Sequence, residues 1–411
     1  MYRKDNLRTL DGDPVTIIHP GELNRHAGPD FFNAMIRIGR IIWAGNVEVH
    51  HLASDWSRHG HHLDPLYNNV ILHVIRIPDD RACNSLGRDV QGLVIDYPGR
   101  LEETYRRFEK SDDRLPCSLL LHTIPRSYIS VWLKSLFRER LLCKSGRIIR
   151  IHGQNDADWE KTLYISLACG YGLPVNLLPF EMLAAGLPLR FLMEVRDDRI
   201  ALEALLFGQA GFLDPLPVST PLVIRMNEIY RDLQVRLCRP PIPRYLWKFL
   251  RLRPASFPTL RISQFAGLVQ NRFPVLHDIL NPITLPDLEQ MFRTRASSYW
   301  ENHYRFGRIS PPRAKYTGNQ CVRSLIINAV VPFLYAYARK EKERSYLDLC
   351  SDILKQVEAE SNHIIKRWMI SGIIPADAFE TQALIQLYKH YCLDRRCLEC
   401  WLGRWCVESS L

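Results

Sequence analysis

Gly28-Pro29-Asp30-Phe31 and, a few residues on, Trp43-Ala44-Gly45-Asn46-Val47-Glu48-Val49-His50 bracket the stretch that decides the fold of the first quarter of the chain. Between them Phe32, Ala34, Ile36 and Ile38 alternate with Asn33, Met35 and Arg37. That period of two predicts a strand with one buried face. Gly39-Arg40 marks a turn, and Ile41 to His50 predicts the returning strand. Asp30 stands just before the first strand and Glu48 near the end of the second, so a hairpin brings both carboxylates to one end of a sheet. Glu48 and His50 are two apart and share a face; Val47 and Val49 take the other. Gly45-Asn46 reads as a bulge or a close backbone approach. Two convergent carboxylates with a third polar group suit a hard divalent cation, the usual requirement of phosphodiester hydrolysis.

Further strands are expected at Val15-Thr16-Ile17-Ile18 and Val70 to Ile77. The latter is apolar on both faces and so is expected to lie inside the sheet. Asp64-Pro65-Leu66-Tyr67 predicts a short turn or helix leading into it. From about residue 115 to 390 the apolar spacing becomes helical. Tyr128–Leu142, Asp158–Cys169, Leu202–Phe207 and Tyr346–Trp368 are the clearest helices, with proline-rich breaks at 215–221 and 240–243. The expected fold is α+β: a mixed N-terminal sheet, a large mainly α-helical domain and a short Cys-rich C-terminal tail. No internal repeat and no Walker-type glycine loop is visible.

The chain has 411 residues, of which 46% are hydrophobic and 24% charged, as in ordered globular proteins. Its formal net charge is +10 and its pI about 9.1, a balance that favours polyanions. Met1-Tyr2-Arg3-Lys4-Asp5 opens no apolar signal segment. The longest apolar stretch, Leu325 to Ala338, is interrupted by Asn328 and Pro332 and is read as too short for a bilayer. The expectation is a cytoplasmic protein with no membrane partner. Eleven cysteines in a reducing compartment point to metal ligands before disulfides.

Six of the fourteen histidines, His50, His51, His59, His61, His62 and His73, fall within residues 50–73. Imidazole ligates metals, shuttles protons and binds phosphate. Any one of these histidines is more often a structural residue than a ligand, but Asp30 and Glu48, with His50, carry a resemblance. Pro29-Asp30 followed by Glu48-Val49-His50 resembles the PD-(D/E)XK nuclease superfamily, in which an Asp opens the second core strand and a Glu-x-Lys lies on the third. The chain is also similar, over nearly all its length, to the bacterial domain of unknown function 2851 family. That likeness rests on the segments quoted above, on Ser54-Asp55-Trp56 and Val70-Ile71-Leu72-His73-Val74, and on Glu203 to Leu213, Arg253 to Pro258, Trp300-Glu301-Asn302-His303-Tyr304 and Cys397-Leu398-Glu399-Cys400.

The nuclease resemblance, which covers about residues 15–80, implies a restriction-endonuclease-like core in a domain of residues 1–112; the helical spacing sets a mainly helical domain at 113–389, and the cysteines a metal-binding tail at 390–411. It implies that Asp30, Glu48 and a backbone carbonyl near Val49 hold Mg²⁺ or Mn²⁺, with His50 orienting or deprotonating the attacking water. His50 stands where the superfamily has Lys. The family likeness carries the expectation that family members have an extra N-terminal segment before the region starting at Leu7-Arg8-Thr9, which in a nuclease core supplies the first helix and an acidic residue; Glu22, in Pro20-Gly21-Glu22-Leu23-Asn24, is the local substitute candidate for that acidic metal ligand. Asp55, His59, His61 and Asp64 are expected in a second shell or at a second metal position.

The tail carries Cys392, Cys397, Cys400 and Cys406, four cysteines in fifteen residues. Thiolates so spaced suit Zn²⁺ or an iron–sulfur cluster. Cys397-x2-Cys400-x5-Cys406 resembles the C-terminal cysteines of iron-staple nucleases, with Cys392 or Cys117 as the remaining ligand; His390 is another candidate. Small packing residues at a helix end are the plain alternative.

Between Arg225 and Arg261 lie nine Lys or Arg and two acids, interleaved with Tyr245, Trp247, Phe249 and Phe257. Such a stretch tracks phosphates and stacks bases, or is a solvated face over an aromatic core. Lys134, Arg138, Arg140, Lys144, Arg147 and Arg150 form a second basic cluster. The readings are a metal-dependent nuclease, a non-catalytic nucleic-acid or protein-binding relative of one, and a metal-dependent hydrolase of a small phosphorylated substrate. Nucleic acid is the expected partner.

Overall fold

A six-stranded mixed sheet forms around the hairpin. The strands are β1 (Val15–His19), β2 (Glu22–Leu23), β3 (Phe31–Ile38), β4 (Ile41–Leu52), β5 (Val70–Ile77) and β6 (Gly92–Val94). Their order is β1-β3-β4-β5-β6, with β2 also on β3. The protein is represented by a computed structural model that describes residues 7–409 except 25, 98, 112–114, 216 and 282. The segment that argued against a signal peptide lies outside the described residues. The chain divides into two units, one running through Thr104 and the other Tyr105–Ser409; the division falls within helix α2 (Gly99–Lys110).

The alternation on β3 buries Ala34, Ile36 and Ile38, which pack with Val15, Val47, Leu72 and Leu93 on one side of the sheet. β3 and β4 are antiparallel, while β4 and β5 are parallel. A parallel pair needs a crossover. Here it is short: helix α1 (Asp55–Arg58) and a 3-10 turn at Pro65–Tyr67, seated on a second cluster of Trp56, Tyr67, Val70, Ala82 and Val90. β5 lies between β4 and β6, inside the sheet as its two apolar faces require.

Two departures from regular strand geometry set up the end of the hairpin. Phe31 pairs with Val47 but Ala34 with Gly45, so β3 carries one extra residue there. Asn33 in that bulge has φ +57, a left-handed conformation that Asn tolerates better than most residues, and its backbone N–H donates to Asn46 Oδ1 at 3.3 Å. A one-residue slip turns side chains to the opposite face, so the bulge decides that Asp30 meets Glu48. Gly45 is the close approach: a Cβ there would sit 2.6 Å from Asn69 O and 2.5 Å from Ile71 Cγ2.

The second unit is mainly helical, around α3 (Arg126–Gln154) and α4 (Trp159–Tyr171). Asp158 caps α4 by accepting from Lys161 N, and Asp198, Asn362 and Asp377 cap later helices in the same way. Two expectations change. Tyr346–Trp368 is two helices, Ser345–Gln356 and His363–Ile370, because Glu358 bridges to Asp377 and Asn362 caps a fresh start. The apolar stretch around Leu325 to Ala338 lies in a continuous helical run, Asn319–Glu341, which is 23 residues long and apolar enough to cross a membrane by length and composition; 72% of its apolar window is buried within the protein. A minor hairpin, β7 (His303–Arg305) with β8 (Arg308–Ile309), interrupts the helices.

Asn33→Val is expected to destabilise the protein by about 1–2 kcal/mol, because a β-branched residue resists the left-handed region, whereas Asn33→Gly keeps near-parental stability. Urea denaturation of both variants checks this; equal midpoints for Asn33→Val and the parent would contradict it.

Candidate metal centre

At the end of the hairpin the two strands exchange hydrogen bonds through the acids. Asp30 N–H donates to Glu48 Oε2 at 3.0 Å, and Val49 N–H donates to Asp30 Oδ2 at 3.0 Å. Each carboxylate is thus fixed by the backbone of the other's strand. Glu48 is buried and its second oxygen, Oε1, faces imidazoles: His50 Nε2 at 3.4 Å and His61 Nε2 at 3.3 Å.

His50 is held from both sides. Its Nδ1 lies 2.8 Å from His73 Nε2 and its Nε2 lies 3.2 Å from His59 Nδ1. His73 sits on β5 opposite Glu48 in the parallel register, and so shares the Glu48–His50 face. His61 stacks on Tyr67, with centroids 3.8 Å apart, and meets the fully buried Trp56 edge-on. Among the described residues, one ligand atom from each of His50, His59 and His61 lies within 4.8 Å of the others, an arrangement able to hold a metal ion.

Burial, and then the neighbouring Asp30 charge, push the Glu48 carboxyl up to about 7. Burial, and then the facing His61 and His59, lower His50 to about 4; burial followed by His50 and His61 does the same to His73. His61 is lowered as well, chiefly by burial. At pH 7 His50, His61 and His73 are therefore neutral and offer lone pairs, the form in which histidine binds metal.

Asp30, Glu48, His50, His59 and His61 come together here. Glu22 does not join them: it is exposed on β2, paired with Phe32, and no hydrogen bond or ion pair links it to Asp30 or Glu48 among the described residues. Asp55 and Asp64 serve local turns. Asp55 Oδ2 accepts from Leu52 N and its Oδ1 pairs with Arg58, while Asp64 Oδ1 accepts from Leu66 N. His73, one of the six clustered histidines, is the member to which the residue pattern assigns no role. Its position on an apolar strand hid it, although its step of two from Ile71 and Ile75 already put it on one face.

In the second unit all eleven cysteines of the chain but Cys83 are found, and no disulfide joins any of them. Cys117, Cys392, Cys397, Cys400 and Cys406 are buried. Burial, and then Cys117, Cys400 and Cys397, push the Cys392 thiol up; burial lifts Cys397 to about 11 and Cys400 to about 12. These cysteines share a neighbourhood without forming a group whose sulfurs all lie within 4.8 Å of one another. His390 offers its carbonyl to Arg396 Nη1.

Most of the second basic cluster is internal bracing. Arg147 and Arg150 grip Glu181, and Arg140 and Lys144 both donate to Gln382 Oε1. Lys144 lines a cavity of about 270 Å³ with Arg147, Cys169 and Asn328, and burial lowers its pKa to about 7. Its three donors nonetheless meet Ile327 O, Asn328 Oδ1 and Gln382 Oε1. In the other basic stretch Trp247 is buried and Arg305 packs over Phe249 and Phe257, at 4.2 and 4.5 Å, which leaves Tyr245 as the exposed aromatic.

The helical unit, the mixed sheet and the hairpin site belong to a recognised kind of chain. Residues 1–363 match the family described as Protein of unknown function (DUF2851), and the chain belongs to that family. The match ends before the Cys-rich tail. No curated protein and no solved structure matches the chain.

Stability of the metal-free protein should carry the mark of Glu48. Between its ordinary 4.5 and about 7 the folded chain keeps a proton that the unfolded chain has released, so stability falls as pH rises through that window. His50 and His73 act oppositely: from 6.5 down to about 4 the unfolded chain takes up protons the folded one refuses, so stability falls as pH drops. Glu48→Gln removes only the first effect. In chelator-treated protein it is expected to be more stable than the parent at pH 8, by about 1–3 kcal/mol, with the gap narrowing towards pH 5. Urea denaturation at the two pH values measures this, and no gap at pH 8 would refute it.

Proposed function

We propose that the first unit is a metal-dependent hydrolase of nucleic-acid phosphodiester bonds. The observation that carries this reading is the meeting of the Asp30 and Glu48 carboxylates, with His50, at one end of a mixed sheet. Asp before one strand and Glu-x-His on the next follows the order of the PD-(D/E)XK core, to which a restriction-endonuclease-like reading of this sheet appeals. The positive net charge supports an anionic substrate.

Asp30 and Glu48 would hold Mg²⁺ or Mn²⁺. A bound divalent ion supplies a more acidic water and polarises a phosphoryl oxygen. Glu48 is ready for a cation: its buried carboxyl is held protonated up to about 7, and a nearby positive charge favours the ionised form. The two backbone N–H donors fix both carboxylates before any ion arrives, so little reorganisation is needed. His50 is neutral and cannot supply the fixed charge of a Lys. Its lone pair can instead accept a proton from water or bind the metal.

Chelator-treated full-length protein, given Mg²⁺ or Mn²⁺, is expected to cleave DNA or RNA. Asp30→Asn and Glu48→Gln should each lose about 10³-fold or more, since metal activation is worth several kcal/mol and 1.36 kcal/mol is tenfold. Single- and double-stranded forms of both nucleic acids form the panel. If none is cut with either ion, the reading fails.

A further inference from the structure

We propose a transition-metal site beside the Asp30–Glu48 pair, formed by His50, His59, His61 and Glu48 Oε1, with Zn²⁺ as the best-matched ion. Its part in hydrolysis rests on the preceding proposal; its existence as a metal site is tested apart from it.

The distances carry the argument. A tetrahedral ion with bonds of about 2.0–2.1 Å sets its donor atoms about 3.3–3.4 Å apart. Here Glu48 Oε1 is 3.4 Å from His50 Nε2 and 3.3 Å from His61 Nε2, and His50 Nε2 is 3.2 Å from His59 Nδ1. Octahedral coordination at the same bond length needs about 2.9 Å between neighbouring donors, tighter than any of these. Three imidazoles and one carboxylate are a donor set for Zn²⁺ or a similar ion rather than for Mg²⁺.

A second observation is independent of those spacings. His61 Nε2 is buried and has no hydrogen-bond partner, although it faces Glu48 Oε1. A buried polar atom without a partner is costly, and a bound cation would satisfy it. The contact between His50 Nδ1 and His73 Nε2 acts in the same sense. With Nδ1–H donating to His73, Nε2 of His50 turns a lone pair towards Glu48 Oε1. With Glu48 ionised, acceptor then faces acceptor, a repulsive arrangement that a cation between them makes attractive. A second ring partner that fixes the tautomer is the usual support of a metal-bound histidine. Glu48 completes the picture by dividing its oxygens: Oε2 faces the Asp30 backbone and Oε1 the imidazoles.

The test is a titration of chelator-treated full-length protein with Zn²⁺ and with Co²⁺ as a spectroscopic substitute. The parent is expected to gain a four-coordinate Co²⁺ ligand-field spectrum without thiolate charge-transfer absorption. His59→Ala changes an exposed side chain, so it tests the site with little risk to folding; it and His61→Ala should each weaken binding by about 100-fold or more. His73→Asn should weaken it by about 10–100-fold through loss of the supporting contact. Binding unchanged in the His59→Ala/His61→Ala double variant, or a Co²⁺ spectrum dominated by thiolate absorption, overturns the proposal. Binding as expected without cleavage of any nucleic acid would sink the hydrolase reading and leave this site standing. Cleavage with Mg²⁺ that is lost in Asp30→Asn, together with no His-dependent Zn²⁺ binding, would do the reverse.

Discussion

Two hydrogen bonds between strand backbones and the opposite carboxylates organise the first unit. Asp30 N–H to Glu48 and Val49 N–H to Asp30 close the open end of the hairpin. Glu48 is buried there beside a second acid, which is unfavourable for an ionised carboxylate. Hydrogen bonds to backbone donors offset part of that cost but leave Oε1 looking for a positive partner. His50 and His61, whose Nε2 atoms face it, are neutral at pH 7 and cannot provide it. The arrangement is therefore one charge short, and this shortage, more than any single residue, gives the site its character.

Much of this was legible in the residues. The period of two over Phe32–Ile38 and the turn at Gly39-Arg40 specify a hairpin, and four of the six strands coincide with apolar runs. The Gly45-Asn46 reading also has a physical counterpart, since Gly45 lies against the backbone of Asn69. What could not be read was which polar residues converge. Asp55 and Asp64 are as acidic as Asp30, but local backbone donors occupy them. His59 and His61 reach the site because the crossover between parallel strands is so short, a property of topology rather than of spacing. The break at Glu358–Asn362 was hidden for a similar reason: the apolar period runs through it, and tertiary bonds to Glu358 and the Asn362 cap override it.

The conspicuous motifs of the helical unit have structural explanations. Glu203 is buried and receives Ser263 Oγ, Ser297 Oγ and Arg199 Nε. Gly208 lies against the Tyr230 ring, leaving no room for a Cβ, and Gln209 accepts from the Tyr230 hydroxyl. In Trp300-Glu301-Asn302-His303-Tyr304 three carbonyls receive the buried Lys315 ammonium. A fully bonded buried cation of this kind pins a loop without doing chemistry. The distinctive residues Glu203, Gln209 and the Trp300–Tyr304 loop thus mark internal bracing, whereas Asp30, Glu48 and His50 in the first unit face one another at the candidate site.

Trp56 links the imidazole group to the core. Its indole is fully buried, touches His61, His73 and Tyr67, and donates to Cys83 O. His61 and His73 are thus packing residues as well as nitrogen donors. His59 is different: it is exposed, and its ring meets His50 and His61. The members of the group therefore differ in how freely evolution can change them. Substitution at His59 can retune ion preference with little penalty in folding, while the same change at His61 or His73 disturbs the hydrophobic floor beneath.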